Sequence, residues 1–163
     1  MKHISALTYE PKVFDVRNGI CIQTIRPKSE TRPKNIGDYI MFHGWEGKPY
    51  HSKWSWRTPY WEIIETFFIK FMKITSNDTV ALLKYYSSIK PFSDEINNWY
   101  RLDFDQMNDI AILDGFKAFE QMATILQEMY GSEMFNEVFQ AIRWDFKKEQ
   151  KTNLIQKIRN FTN

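Results

Sequence analysis

Along most of the chain, apolar positions come in short alternating runs, and a helical spacing takes over only toward the later part. Ser5 to Thr8 reads as a first short strand. Pro11 stands where a first-turn proline is tolerated, and Val13 and Val16, with Phe14 beside them, suit a short helix that Asn18-Gly19 stops. Ile20 to Arg26 alternates and is rich in β-branched residues, which predicts a strand closed by Pro27. Residues 27–37 are polar, basic and hold two prolines, the pattern of a loop, and Gly37-Asp38 turns into a strand over Tyr39–Phe42. His43 to Pro59 has no periodicity and carries Trp45, Trp54 and Trp56, which predicts a long loop of the kind that is often functional.

Farther along, Trp61 to Ile74 suits one long strand or two, Val80–Tyr86 another, and Trp99–Leu102 a weaker one. Asp105–Ile112 and Phe116–Tyr130 predict helices, the second with an apolar stripe of Phe116, Phe119, Met122, Ala123 and Leu126 and a stop at Gly131. Val138–Phe146 is expected to be the closing strand. Strands and helices do not alternate regularly, so the expected class is α+β, built on a mostly antiparallel β-barrel with flanking helices. Residues 147–163 form a basic tail (Lys147, Lys148, Lys151, Lys157, Arg159) with Leu154, Ile155 and Ile158 at helical spacing, which suits a docked helix or a nucleic-acid arm.

The chain of 163 residues suits one domain over 1–146 plus that tail. The 17% aromatic share is high enough to suggest flat binding surfaces besides core filling. A net charge of +2 gives no sign of strong attraction to nucleic acid, but its distribution implies a polarised surface. Between Arg26 and Arg57, seven Lys/Arg stand against three acids, whereas between Asp94 and Asp114 six acids stand against Arg101 alone. A single cysteine allows no internal disulfide, no signal-peptide core opens the chain, and no apolar run approaches the ~20 residues of a membrane helix. A soluble, cytoplasmic protein away from membranes is the expectation.

The run Asn18-Gly19-Ile20-Cys21-Ile22-Gln23-Thr24-Ile25-Arg26-Pro27, followed by Ile36-Gly37-Asp38-Tyr39-Ile40, resembles the signature of the ASCH family. There a helix ends at glycine, the next strand carries a T-x-R core, and a basic loop leads to a strand opening with Gly-Asp. Ile110 to Phe116, Tyr130-Gly131 and Ala141-Ile142-Arg143-Trp144 resemble the family's closing half, and Gly44 to Tyr50 is similar to members encoded by phages. The resemblance spans about residues 5–146. It implies a PUA-like barrel whose cleft binds RNA, another single-stranded nucleic acid, or a modified nucleoside, with no cofactor. It also implies a distant similarity to amidohydrolases that deacylate N4-acetylcytidine through a Lys, a Thr three positions later and a distant Glu. Carried over, these fall on Cys21, Thr24 and Asp114, so the lysine is missing and the carboxylate is one methylene shorter.

Each candidate residue has a plainer reading beside the functional one. Thr24 and Arg26 lie two apart and share one face of a strand, as surface residues or as a cleft wall where Arg26 binds a phosphate or base edge. Cys21 reads as a small buried hydrophobe, or as a nucleophile if a cation stabilises its thiolate. Asp114 reads as an N-cap for a helix starting near Phe116, or as a cleft carboxylate that receives the exocyclic amine of a base. Lys28, Trp45, Lys48, Lys53, Trp54, Trp56 and Arg57 interleave cations with aromatics, as single-strand binders do, and the tryptophans read equally well as pins of the loop to the barrel. His43, His51 and Glu46 lack a metal-site spacing, and no metal is expected. Three functions follow: a nucleic-acid or nucleoside binding module, a hydrolase of a modified nucleoside or small amide with Thr24 or Cys21 as nucleophile, and an adaptor for a protein partner.

Overall fold

The computed structural model describes residues 1–75, 79–85, 95–96 and 99–146. The basic tail and Tyr86, the last residue of the strand expected at 80–86, lie outside the described residues. The chain is α+β, with nine strands among the described residues joined in one mostly antiparallel network.

The strands are β1 (Lys2–Ala6), β2 (Gln23–Pro27), β3 (Tyr39–Trp45), β4 (Trp54–Arg57), β5 (Trp61–Lys73), β6 (Thr79–Tyr85), β7 (Glu95–Ile96), β8 (Trp99–Arg101) and β9 (Phe139–Trp144). The helices are α1 (Glu10–Arg17), α2 (Phe104–Leu113) and α3 (Phe119–Tyr130), the last running into a short 3-10 turn, Gly131–Phe135. One path runs β1-β3-β5-β6-β8-β7, with β4 on β3, β9 on β5 and β2 on β9. The β1–β3 pair is parallel, and all other pairs are antiparallel. Among the described residues this path does not return on itself: β1 pairs with β3 but not with β2.

β9 is buried on both faces, and successive residues serve different cores. Phe139 and Ala141 join the core under α2 and α3, while Ile142 and Trp144 join the core beside α1. β5 achieves the same division with residues of one parity. Trp61 and Ile63 belong to the α1 side, and Phe67, Ile69 and Phe71 to the α2–α3 side. A register shift between Ile63 and Glu65 makes this possible, because one extra residue turns over every side chain that follows relative to the partner strand.

Several expected boundaries are displaced, each for a tertiary reason. β1 starts earlier than Ser5 because it pairs in register from Lys2↔Tyr39 to Ala6↔His43. β2 omits Ile20 to Ile22, since the N–H groups of Ile20 and Cys21 wrap back onto the Asp15 carbonyl at 2.9 and 3.1 Å. The long loop expected over 43–59 is instead a hairpin, in which β3 runs on to Trp45 and pairs with β4.

The reading of Asp114 as an N-cap is overturned. Asp114 closes α2: Gly115 N–H donates to Ile112 O at 3.0 Å and Phe116 N–H to Ala111 O at 2.9 Å, with Gly115 at φ +86°. This pair of bonds with a left-handed glycine is the Schellman end of a helix. α3 begins only at Phe119 behind Ala118, which has no side-chain cap, and Asn108 Oδ1 accepts the Phe119 N–H at 2.9 Å in its place. The stripe of Phe119, Met122, Ala123 and Leu126 is buried as its spacing predicts.

Candidate functional site

α1 begins with Glu10 and Pro11 and buries Val13 and Val16 toward the core. The same face carries Lys12, only 5% exposed, which points a charge where the pattern calls for an apolar side chain. Its partner is Asp114, 2% exposed, whose Oδ2 accepts from Lys12 Nζ at 2.6 Å. The turn at Gly115 sets the direction of Asp114 and leaves little room around itself, since a Cβ there would lie 3.3 Å from the Cys21 side chain.

Lys12 and Asp114 line a cavity of about 110 Å³. Thr24, Ile25 and Arg26 from β2 line it too, so the lining brings Thr24 and Arg26 to one cavity together with the residue of opposite parity between them. Its flat walls come from Tyr9, Phe116 and Tyr130, with Tyr9 and Phe116 stacked at 5.9 Å. Lys12 Nζ lies 5.6 Å from the Phe116 ring centre. The cavity opens where β1 and β2 fail to pair, and Arg26 bridges that seam by donating from Nη2 to the Ala6 carbonyl at 2.5 Å.

The electrostatics follow from burial. Burial raises the Asp114 carboxyl to about 6, against the opposing effects of Lys12, Arg26 and the Ile25 N–H. Its place at the C-terminal, negative end of α2 acts in the same direction as burial. Burial also lowers the Arg26 pKa and raises that of Tyr130. Two polar atoms here have no hydrogen-bond partner of normal geometry: Asp114 Oδ1, an acceptor, and Arg26 Nε, a donor. Buried polar atoms are nearly always paired, so such a pair at one cavity is unspent binding capacity.

Cys21 takes no part in this cavity. It is fully buried in the core beside α1, and its Sγ donates to Gln23 O at 3.1 Å. Burial pushes the thiol up to about 11, with the Lys12 charge opposing, so it stays protonated at neutral pH.

The aromatic hairpin forms a separate cluster. Trp54 stacks on His43 at 4.4 Å, Trp45 meets His43 edge-on at 4.8 Å, and Tyr50 lies 5.4 Å from Trp45. Trp56 is elsewhere: it packs over Gly44 and the α1-side core, with the Arg17 guanidinium 5.7 Å from its ring centre. Lys48, Lys53 and Arg57 are exposed on or beside the hairpin, and Lys28 pairs with Glu30 at 2.9 Å. None of these residues lines the cavity; Arg26 stands between the two groups, its charge acting on His43.

Sequence reasoning missed Lys12, Tyr9, Phe116 and Tyr130. The signal for Lys12 was present: a charged residue four before Val16 on the apolar stripe of a short helix. No protein-family model, curated protein or solved structure matches this chain. Among the described residues, no helix is long and apolar enough to cross a membrane.

Proposed function

We propose that the chain is a binding module of the PUA-like, ASCH type that accepts one base of a single-stranded nucleic acid, or one modified nucleoside, in the cavity between β2 and α2. The observation that carries this reading is the pairing of an unspent acceptor, Asp114 Oδ1, with an unspent donor, Arg26 Nε, on one cavity edged by aromatic rings. A nucleobase edge offers donor and acceptor side by side, as the N4 amine and ring of cytosine do. Size points the same way. A closed apolar cavity of about 150 Å³ holds one benzene, so an open-mouthed one of about 110 Å³ takes a single ring and leaves sugar and phosphate outside.

Calorimetric titration with the four nucleosides and with short single-stranded RNA and DNA tests this. One nucleoside is expected to bind, with affinity that rises between pH 5 and 7 and then levels. The sign follows from Asp114: above about 6 it is a carboxylate and accepts the base N–H, and below it the proton competes. Absence of heat with every nucleoside and oligomer would remove the reading.

A hydrolase is the second reading, and Lys12 favours it. The lysine that the resemblance calls for at position 21 is absent, but Lys12 brings an amine to the same cavity as Thr24 and Asp114. Thr24 would give its hydroxyl proton to the Lys12–Asp114 pair and attack the N4-acyl carbonyl, with Arg26 balancing the oxyanion charge. The C–N4 bond then breaks, the pair returns the proton to N4 as cytidine leaves, and water releases acetate from the threonyl ester. Thr24→Ala is then expected to abolish release of acetate from N4-acetylcytidine while leaving the melting temperature within a few degrees of the parent protein. Full activity in that variant would end the nucleophile assignment.

A further inference from the structure

A second concavity lies between the start of β1 and the loop that follows β2. It measures about 460 Å³ and is lined by Lys2, His3, Ile4, Ser29, Arg32 and Lys34, together with Met1. Among the described residues, no carboxylate forms an ion pair with Lys2, Arg32 or Lys34. Glu30 is committed to Lys28 at 2.9 Å, and Asp38, at the edge of the groove, is taken up by the groove residues His3 (Nε2, 3.0 Å) and Met1 (its amine) and by the Asn35 N–H at 3.0 Å. Lys34 has its pKa lowered, by burial first and then by the Arg26 charge, so Lys34 in the groove and Arg26 in the cavity are close enough to act on each other. Ile4 lines the groove and Ala6 lines the cavity, two residues and about 7 Å apart along β1.

The loop that presents these cations is held in place. Gln140 Nε2 donates to the Lys34 carbonyl at 2.6 Å, the Arg32 N–H donates to Ser29 Oγ at 3.1 Å, and Pro27 and Pro33 limit the backbone on either side. Cations fixed before a ligand arrives lose less freedom on binding it. Unpaired Lys and Arg side chains with a serine hydroxyl form a donor set suited to phosphate oxygens.

We propose that this groove holds the phosphodiester backbone of the same single strand whose base enters the cavity, with Arg32 and Lys34 as its phosphate contacts. This rests on the base-binding reading and gives it a direction: the strand leaves the cavity past Arg26 and runs along β1 toward Lys34.

The test compares the parent protein with an Arg32→Ala/Lys34→Ala variant. Binding of a short oligocytidylate is followed across a salt series, and binding of unphosphorylated cytidine is measured by calorimetry. Neither side chain forms a hydrogen bond among the described residues, so the variant is expected to melt with the parent. The slope of log affinity against log salt is expected to become shallower by about 1.4, since each single-strand phosphate contact contributes roughly 0.7. Cytidine affinity is expected to stay within twofold. An unchanged slope with intact cytidine binding overturns the phosphate groove and leaves the base cavity standing. A shallower slope in a protein that binds no nucleoside keeps the groove and removes the base reading. If polyglutamate binds with the same dependence on Arg32 and Lys34 while the oligomer does not, the groove is an acidic-protein surface and the proposal falls.

Discussion

Replacing Lys12 with Met is expected to cost about 3–5 kcal/mol of folding stability at pH 8, the usual penalty for leaving one partner of a buried ion pair alone. Both side chains are nearly inaccessible, and the 2.6 Å contact joins their charges directly. The deficit depends on pH, and its sign follows from burial. The folded-state pKa of Asp114 is raised to about 6, so the stability linked to its protonation is fully present below the ordinary carboxylate range and lost as pH rises through 6. Without the Lys12 ammonium to lower it, that folded pKa climbs further, and the loss extends to higher pH. Urea denaturation should therefore show a large deficit at pH 8 and a smaller one at pH 5. The double variant Lys12→Met/Asp114→Leu removes both charges and should recover most of the stability. It should also lose nucleoside binding, which separates what the pair does for the fold from what it does for the ligand. A single variant as stable as the parent at pH 8 would show that the pair is solvated.

Trp144→Ala carries an expected cost of the same size, about 3–5 kcal/mol, the range for truncating a buried Trp or Phe in a core. Trp144 is fully buried, its ring 4.9 Å from Phe42 and 5.7 Å from Trp61, with an interplanar angle of 8° to the latter. It therefore joins β9 to β3 and β5 on the α1 side. β2 is held to the sheet through β9, so a cavity at position 144 loosens the strand that carries Thr24 and Arg26. Trp144→Phe should cost far less, because it keeps an aromatic ring and removes an indole N–H that has no hydrogen-bond partner. Thermal melts of the two variants check this. Equal losses would mean that the indole N–H matters more than the ring packing.

Local pattern was a sound guide wherever one element could be judged alone. The Pro11 start and Asn18-Gly19 stop marked α1, the spacing of Phe119 to Leu126 marked the buried face of α3, and the apolar run from Trp61 marked β5. Thr24 and Arg26 do line one cavity, but Ile25 between them lines it too, so alternation along the strand is not what brings them there. Local pattern failed where a partner far along the chain decided the outcome. Asp-Gly suits the start of one helix as well as the end of another. The choice went to the end of α2, where Gly115 takes a positive φ and its two neighbouring N–H groups close the helix. The tryptophan-rich stretch looked aperiodic because the hairpin has a register shift between Gly44 and Trp45, and a shifted register hides a period of two.

The site divides in the same way. Composition and spacing along the chain were enough for an α+β protein with a basic early segment and an aromatic surplus. The pairing of Lys12 with Asp114, 102 positions apart, was not readable there, because a lysine on an apolar stripe states only that it is misplaced and not what receives it. Whether Cys21 or Lys12 faced the cavity depended on how the turn after α1 met the end of α2. That β1 pairs with β3 and not with β2 was equally unreadable, because strand pairing is a choice among long-range hydrogen-bond partners. Periodicity reports which face of a strand is buried; it carries no record of which neighbour the edge accepts.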